Sequence, residues 1–174
     1  MRSRSSRVGS VGLASNSRIE DIVDGKLART EVDLLDIGDS SARAPRNALE
    51  ELGIRINYLP IGQPLHVNAA LDGDRPIAPY VIVSCHGDIG SILLPELGGD
   101  IADAQPFTDR MGPDQVRKHL RIPGSVVIPT GCETGEPALA RAFLEVGARS
   151  YFAPTEIRRP HGVSRCAAAV LRAD

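Results

Sequence analysis

The chain has 174 residues, 42% of them apolar, with 20 Lys and Arg set against 22 Asp and Glu for a formal net charge of -2. This length fits one domain able to bury about 70% of its unfolded surface, so neither disulfides nor a metal are needed as staples. Balanced charge without a basic block excludes the electrostatic footprint of a nucleic-acid protein, and aromatic residues at 3% of positions are too few to stack a run of bases.

Residues 1–30 read as a tail, Arg- and Ser-rich at its start, leading into one domain over residues 31–174. No apolar stretch approaches the roughly 20 residues that span a bilayer, so no membrane association is expected. Three cysteines, Cys85, Cys132 and Cys166, cannot close a disulfide framework among themselves. That odd number points to a reducing, cytoplasmic setting.

From Glu31 to Phe152 short β-type runs alternate with helical patterns, which predicts an α/β layer fold on a mostly parallel sheet. Val32 to Ile37 reads as the first strand, stopped at Gly38-Asp39-Ser40. Ala44 to Leu52 reads as a helix with Pro45 in its first turn and Gly53 as its stop. Ile54 to Leu59 is the second strand and Leu65 to Leu71 a short helix. Tyr80 to Ser84, a continuous apolar run of the kind buried on both faces, is the third strand and ends at Cys85-His86-Gly87-Asp88. Ile92 to Pro95 suits a small ribbon, Asp100 to Met111 reads as irregular, and Pro113 to Leu120 is a helix. Ser125 to Pro129 is the fourth strand, ending in Thr130-Gly131-Cys132. Pro137 to Val146 is a helix, Ser150 to Ala153 opens a fifth strand, and Cys166 to Leu171 reads as a closing helix.

Ligands of open parallel sheets bind at the carboxyl ends of the strands, where His86 and Cys132 fall, each beside a glycine. Consecutive strands are often neighbours, so one thiol and one imidazole are expected across a single cleft. A thiol attacks a carbonyl as thiolate, and a nearby imidazole takes its proton. The N–H groups of Gly87 and Cys132 are candidates to hold the resulting oxyanion. Cys85 should point away from His86, by strand alternation, and is read as packing. Glu133 and Glu136 are read as solvated loop acids or helix first-turn charges.

An apolar block followed by His-Gly, here Tyr80-Val81-Ile82-Val83-Ser84-Cys85-His86-Gly87, and a second followed by Gly-Cys, here Ser125-Val126-Val127-Ile128-Pro129-Thr130-Gly131-Cys132, together resemble the caspase-like cysteine peptidases, a superfamily that includes metacaspases and bacterial CHAT-type proteins. The resemblance covers about Val32 to Ala153. It implies a caspase-like three-layer sandwich, Cys132 as nucleophile, His86 as base and peptide-bond cleavage in a peptide or protein substrate. It also places Asp36 or Asp39 and Thr130 at the primary specificity pocket, where an acidic residue favours Lys or Arg substrates. Asp88 is a turn residue, or one that orients His86 or narrows that pocket. Domains of the family continue with another helix and strand. The single closing helix read here therefore implies a C-terminally truncated sheet with an edge open to association.

Two other readings stand beside this one: a catalytically inactive caspase-like binding module, and a flavodoxin-like small-molecule enzyme in which the cysteine and histidine are incidental. No metal or cofactor is expected. His161 and Cys166 lie close in sequence, but no Cys-x-x-Cys accompanies them. Neither Gly-x-Gly-x-x-Gly nor a P-loop occurs.

Overall fold

A computed structural model describes residues 29–157 and 165–172. Its central sheet has six strands in the order β2-β1-β3-β7-β8-β9. These are β1 (Glu31–Asp36), β2 (Arg55–Pro60), β3 (Tyr80–Ser84), β7 (Val126–Pro129), β8 (Ser150–Ile157) and β9 (Arg165–Arg172). The first five run parallel, and β9 pairs antiparallel with β8. A separate three-stranded antiparallel ribbon contains β4 (His86–Asp88), β5 (Ser91–Leu93) and β6 (Arg110–Met111).

The helices α1 (Arg43–Glu51), α2 (Pro64–Leu71), α4 (Pro113–His119) and α5 (Pro137–Glu145) lie within a residue or two of their expected places. Local chemistry explains the agreement. Proline opens α2, α4 and α5 at a position whose N–H lacks a partner in any helix. Gly53 and Gly147, with φ of 78° and 104°, take the left-handed turns that end α1 and α5.

Two expectations are corrected. The stretch Asp100 to Met111 is not wholly irregular: it holds the rest of a one-turn helix, α3 (Gly99–Asp103), and the two-residue β6. Cys166 to Leu171 is not a helix. It lies within β9, paired along its whole length with β8 from Ser150↔Arg172 to Ile157↔Arg165. Alanine favours helix locally, but an open ladder on β8 offers every residue of the segment a main-chain partner, and tertiary pairing overrides a weak propensity. His161 lies outside the described residues.

Handedness distributes the helices. The chain steps from β1 to β2 in one direction and from β2 to β3, β7 and β8 in the other, and each parallel crossover must be right-handed. The first step puts α1 on one face, where the Arg46 guanidinium carbon sits 4.8 Å from the Tyr58 ring centroid. The later steps put α2, α4 and α5 on the other. There Val67, Leu71, Val116, Leu139 and Phe143 join Leu35, Val81, Val83, Val127 and Tyr151 in one buried core. The molecule is thus a mostly parallel sheet with helices on both faces. On the α1 face, away from α1, Tyr80 and Phe152 stay 37% and 43% exposed.

Among the described residues no helix is long and apolar enough to cross a membrane.

Candidate active site

Where the strand order reverses, between β1 and β3, the loops leaving two adjacent strands part and open a crevice. The loop after β1 contributes Gly38 and Asp39, and the segment after β3 contributes Cys85 and His86. The segment after β7, Thr130-Gly131-Cys132, is adjacent because β7 pairs with β3.

The two glycine-flanked segments touch through their backbones. A Cβ placed on Gly131 would lie 2.8 Å from the Gly87 nitrogen and 2.9 Å from the His86 carbonyl carbon. A Cβ on Gly87 would fall within 2.3 Å of the Cys132 carbonyl oxygen. Both glycines are therefore required by close approach, and that approach brings the strand ends bearing His86 and Cys132 together. Both of these residues are exposed. Thr130 ties the same loops: its hydroxyl oxygen accepts from the Cys85 N–H at 3.3 Å and its own N–H donates to the Val83 carbonyl at 2.9 Å.

Cys85 is the opposite kind of thiol. It is 3% exposed, and burial pushes it up to about 11. Its inward direction follows strand alternation as expected.

Asp39 lies within reach of the His86 charge. The Ser41 hydroxyl and N–H, at 2.6 and 2.9 Å, hold its carboxyl below the ordinary carboxylate value, and the Ser84 hydroxyl at 2.8 Å and the charge of His86 act in the same direction. Asp36 lies on β1, its carboxylate accepting from the Tyr58 hydroxyl and from the Asp39 N–H. Asp36, Asp39, Arg43 and Tyr58 line one open cavity of about 590 Å³ with Gly38, Pro60 and Ile61. Among the described residues neither carboxylate has an ion-pair partner. Asp88, by contrast, is engaged by Arg110 at 2.8 Å across the ribbon and precedes the Ile89-Gly90 turn.

Three contributors escaped the sequence reading. Ser84 bridges to Asp39, and only its strand-end position could have flagged it. Tyr58 reaches Asp36 from the edge strand. Thr134, fully buried, donates its hydroxyl to the Gly131 carbonyl at 2.7 Å and receives the Tyr151 hydroxyl on its own carbonyl at 2.8 Å, pinning the loop behind Cys132. Among the described residues no three His, Cys, Asp or Glu side chains gather to hold a metal ion.

No family model, curated protein or solved structure matches this chain.

Proposed function

We propose that the chain is a caspase-like thiol hydrolase that cleaves peptide bonds with Cys132 and His86. The observation that carries the reading is the backbone contact between Gly87 and Gly131, which sets an exposed imidazole and an exposed thiol on touching segments at one rim of the sheet. In the first half-reaction His86 takes the thiol proton, the sulfur adds to the scissile carbonyl, and His86 returns the proton to the leaving amine as the carbon–nitrogen bond breaks. The acyl group then sits on Cys132. Water, deprotonated by His86, adds to the thioester and releases the acid and the thiol. The N–H groups of Gly87 and Cys132 are the oxyanion donors in this scheme.

The acidic cavity supports the choice of substrate. Two carboxylates, Asp36 and Asp39, against one guanidinium, Arg43, leave a net negative wall, suited to a Lys or Arg side chain preceding the cleaved bond. The strand β9 also supports the family reading, since it supplies a completing strand where the sequence alone read a truncation.

One observation favours a different reading. The five parallel strands follow the order 2-1-3-4-5, which doubly wound small-molecule proteins of the flavodoxin type share. A panel of fluorogenic peptides with Lys, Arg, Asp or Leu before the scissile bond separates the readings. Cleavage after Lys or Arg is expected, lost in Cys132→Ala and reduced about 10²- to 10⁴-fold in His86→Ala. No cleavage, together with Cys132 alkylation no faster than that of a free thiol, would leave a binding module or the small-molecule reading.

A further inference from the structure

The imidazole and the thiol belong to different units: His86 opens the β4–β5 hairpin, and Cys132 lies in the loop between β7 and α5. Something must hold the hairpin in register with that loop. The hairpin turns at Ile89-Gly90, where both residues have positive φ, 23° and 71°. Positive φ at both central residues is the primed turn that matches strand twist, and Gly90 suits it. Ile89 does not, because a β-branched side chain at positive φ is strained, and Ile89 is 67% exposed, so packing does not compel it. Such backbone persists only where its surroundings fix it.

Glu133 does the fixing. Its carboxylate accepts from the Ile89 N–H at 3.3 Å and its main-chain carbonyl from the Gly90 N–H at 3.1 Å. To do this Glu133 itself adopts a φ of 54°, the second non-glycine residue at positive φ among those described. Behind the turn, a Cβ on Gly90 would come within 3.2 Å of the Glu136 Cβ, so a side chain at the tip would crowd the start of α5. The residue that follows the thiol therefore grips the tip of the hairpin that carries the imidazole, through two bonds, one of them to the strained Ile89.

We infer that Glu133 is a positioning residue, a clamp that sets the spacing of His86 and Cys132 by binding the Ile89-Gly90 turn. The inference rests on the thiol–imidazole reading above and adds to it the group that enforces the geometry. Loosening the clamp lets the hairpin drift from the loop, so that Cys132 loses the imidazole's influence while the fold persists.

The test reads the pH profile of Cys132 alkylation by iodoacetamide, followed at Cys132 by peptide mapping in the full chain. An imidazole partner adds reactivity on the acid side of the ordinary thiol range, a signature that a general loss of stability does not produce. In His86→Ala that acid-side limb is expected to vanish. In Glu133→Ala it is expected to fall by about five- to tenfold, the size of one hydrogen bond lost, with a circular-dichroism spectrum like that of the parent. Glu133→Gln, which keeps an acceptor oxygen, restores it. Gly90→Ala, which strains the turn from the other side, lowers it in the same direction as Glu133→Ala. If His86→Ala removes the limb while Glu133→Ala and Gly90→Ala leave it intact, the clamp is wrong and the dyad stands. If His86→Ala leaves the profile unchanged, the dyad itself fails and the clamp with it.

Discussion

Two thiols close together at one sheet rim differ sharply in their surroundings. Cys132 is exposed, whereas burial pushes Cys85 up to about 11, with the backbone N–H groups of Gly131 and Thr130 partly opposing the rise. Iodoacetamide at neutral pH is therefore expected to modify Cys132 well ahead of Cys85, as peptide mapping would report. The raised value also bears on stability. The unfolded thiol ionises near 9.0, the folded one near 11, so the folded state keeps a proton that the unfolded state has lost between those values. Stability is then full below about pH 9 and falls by about 2–3 kcal/mol as pH rises to about 11, at 1.36 kcal/mol per unit. Buried Tyr151, also raised by burial, adds a loss of the same sign at higher pH. Cys85→Ala is expected to flatten the first part of this fall in urea midpoints measured from pH 8 to pH 11. Gly131→Ala meets backbone rather than side chain at 2.8 and 2.9 Å, so the strand ends must part. A loss near the upper end of about 1–3 kcal/mol is expected from chemical denaturation, with the acid-side alkylation of Cys132 lost as well. His86, Gly87, Gly131 and Cys132 were legible because strand ends and their glycines are local signals. Glu133 read as a solvated acid because its partner, Ile89, is 44 positions away.

Among the elements, β1 carries a burden unrelated to its role as wall of the acidic cavity. Asp33, fully buried, receives the Arg75 guanidinium at 2.7 Å, the Asn57 amide at 2.9 Å and the Ala78 N–H at 3.2 Å. One carboxylate thereby fastens β1 to its edge neighbour β2 and to the loop that leads into β3. Arg75→Ala strands that carboxylate without its charge partner. A cost of about 3 kcal/mol is expected, the low end for a broken buried pair, because the Arg75 side chain is 32% exposed and water already screens part of the interaction. A urea midpoint unchanged by the substitution would contradict this. Element types were legible wherever periodicity and punctuation agreed, as in β3 with its Tyr-Val-Ile-Val-Ser run or α5 between Pro137 and Gly147. They were misread where the deciding contact was remote: β6 has two residues and exists through pairing with β5, and β9 takes its conformation from β8.

Across the whole molecule, the right-handed crossover rule produces an uneven sandwich, since a single leftward step puts α1 alone against one face while three rightward steps stack α2, α4 and α5 on the other. The reversal of strand order between β1 and β3 sets the loops bearing Asp39 and His86 at one edge of the sheet. The antiparallel β9 closes the edge that β8 would otherwise present. A chain ending at Ile157 exposes that ladder, and unpaired edges recruit other chains. Sedimentation velocity is expected to show concentration-dependent association of this shortened chain relative to the full one; unchanged sedimentation would indicate that β9 does not protect the edge. By itself the sequence determined an aliphatic, mostly parallel α/β domain with glycine-flanked His86 and Cys132 at strand ends, because alternation, caps and turns are written within a few residues of one another. Only the tertiary structure decided that β3 and β7 are neighbours, that Gly87 presses on the Cys132 carbonyl, that Glu133 holds Ile89 and that the tail is a strand. Each of those depends on groups far apart in the chain, whose meeting is fixed by the packing of the whole sheet and not by any local preference.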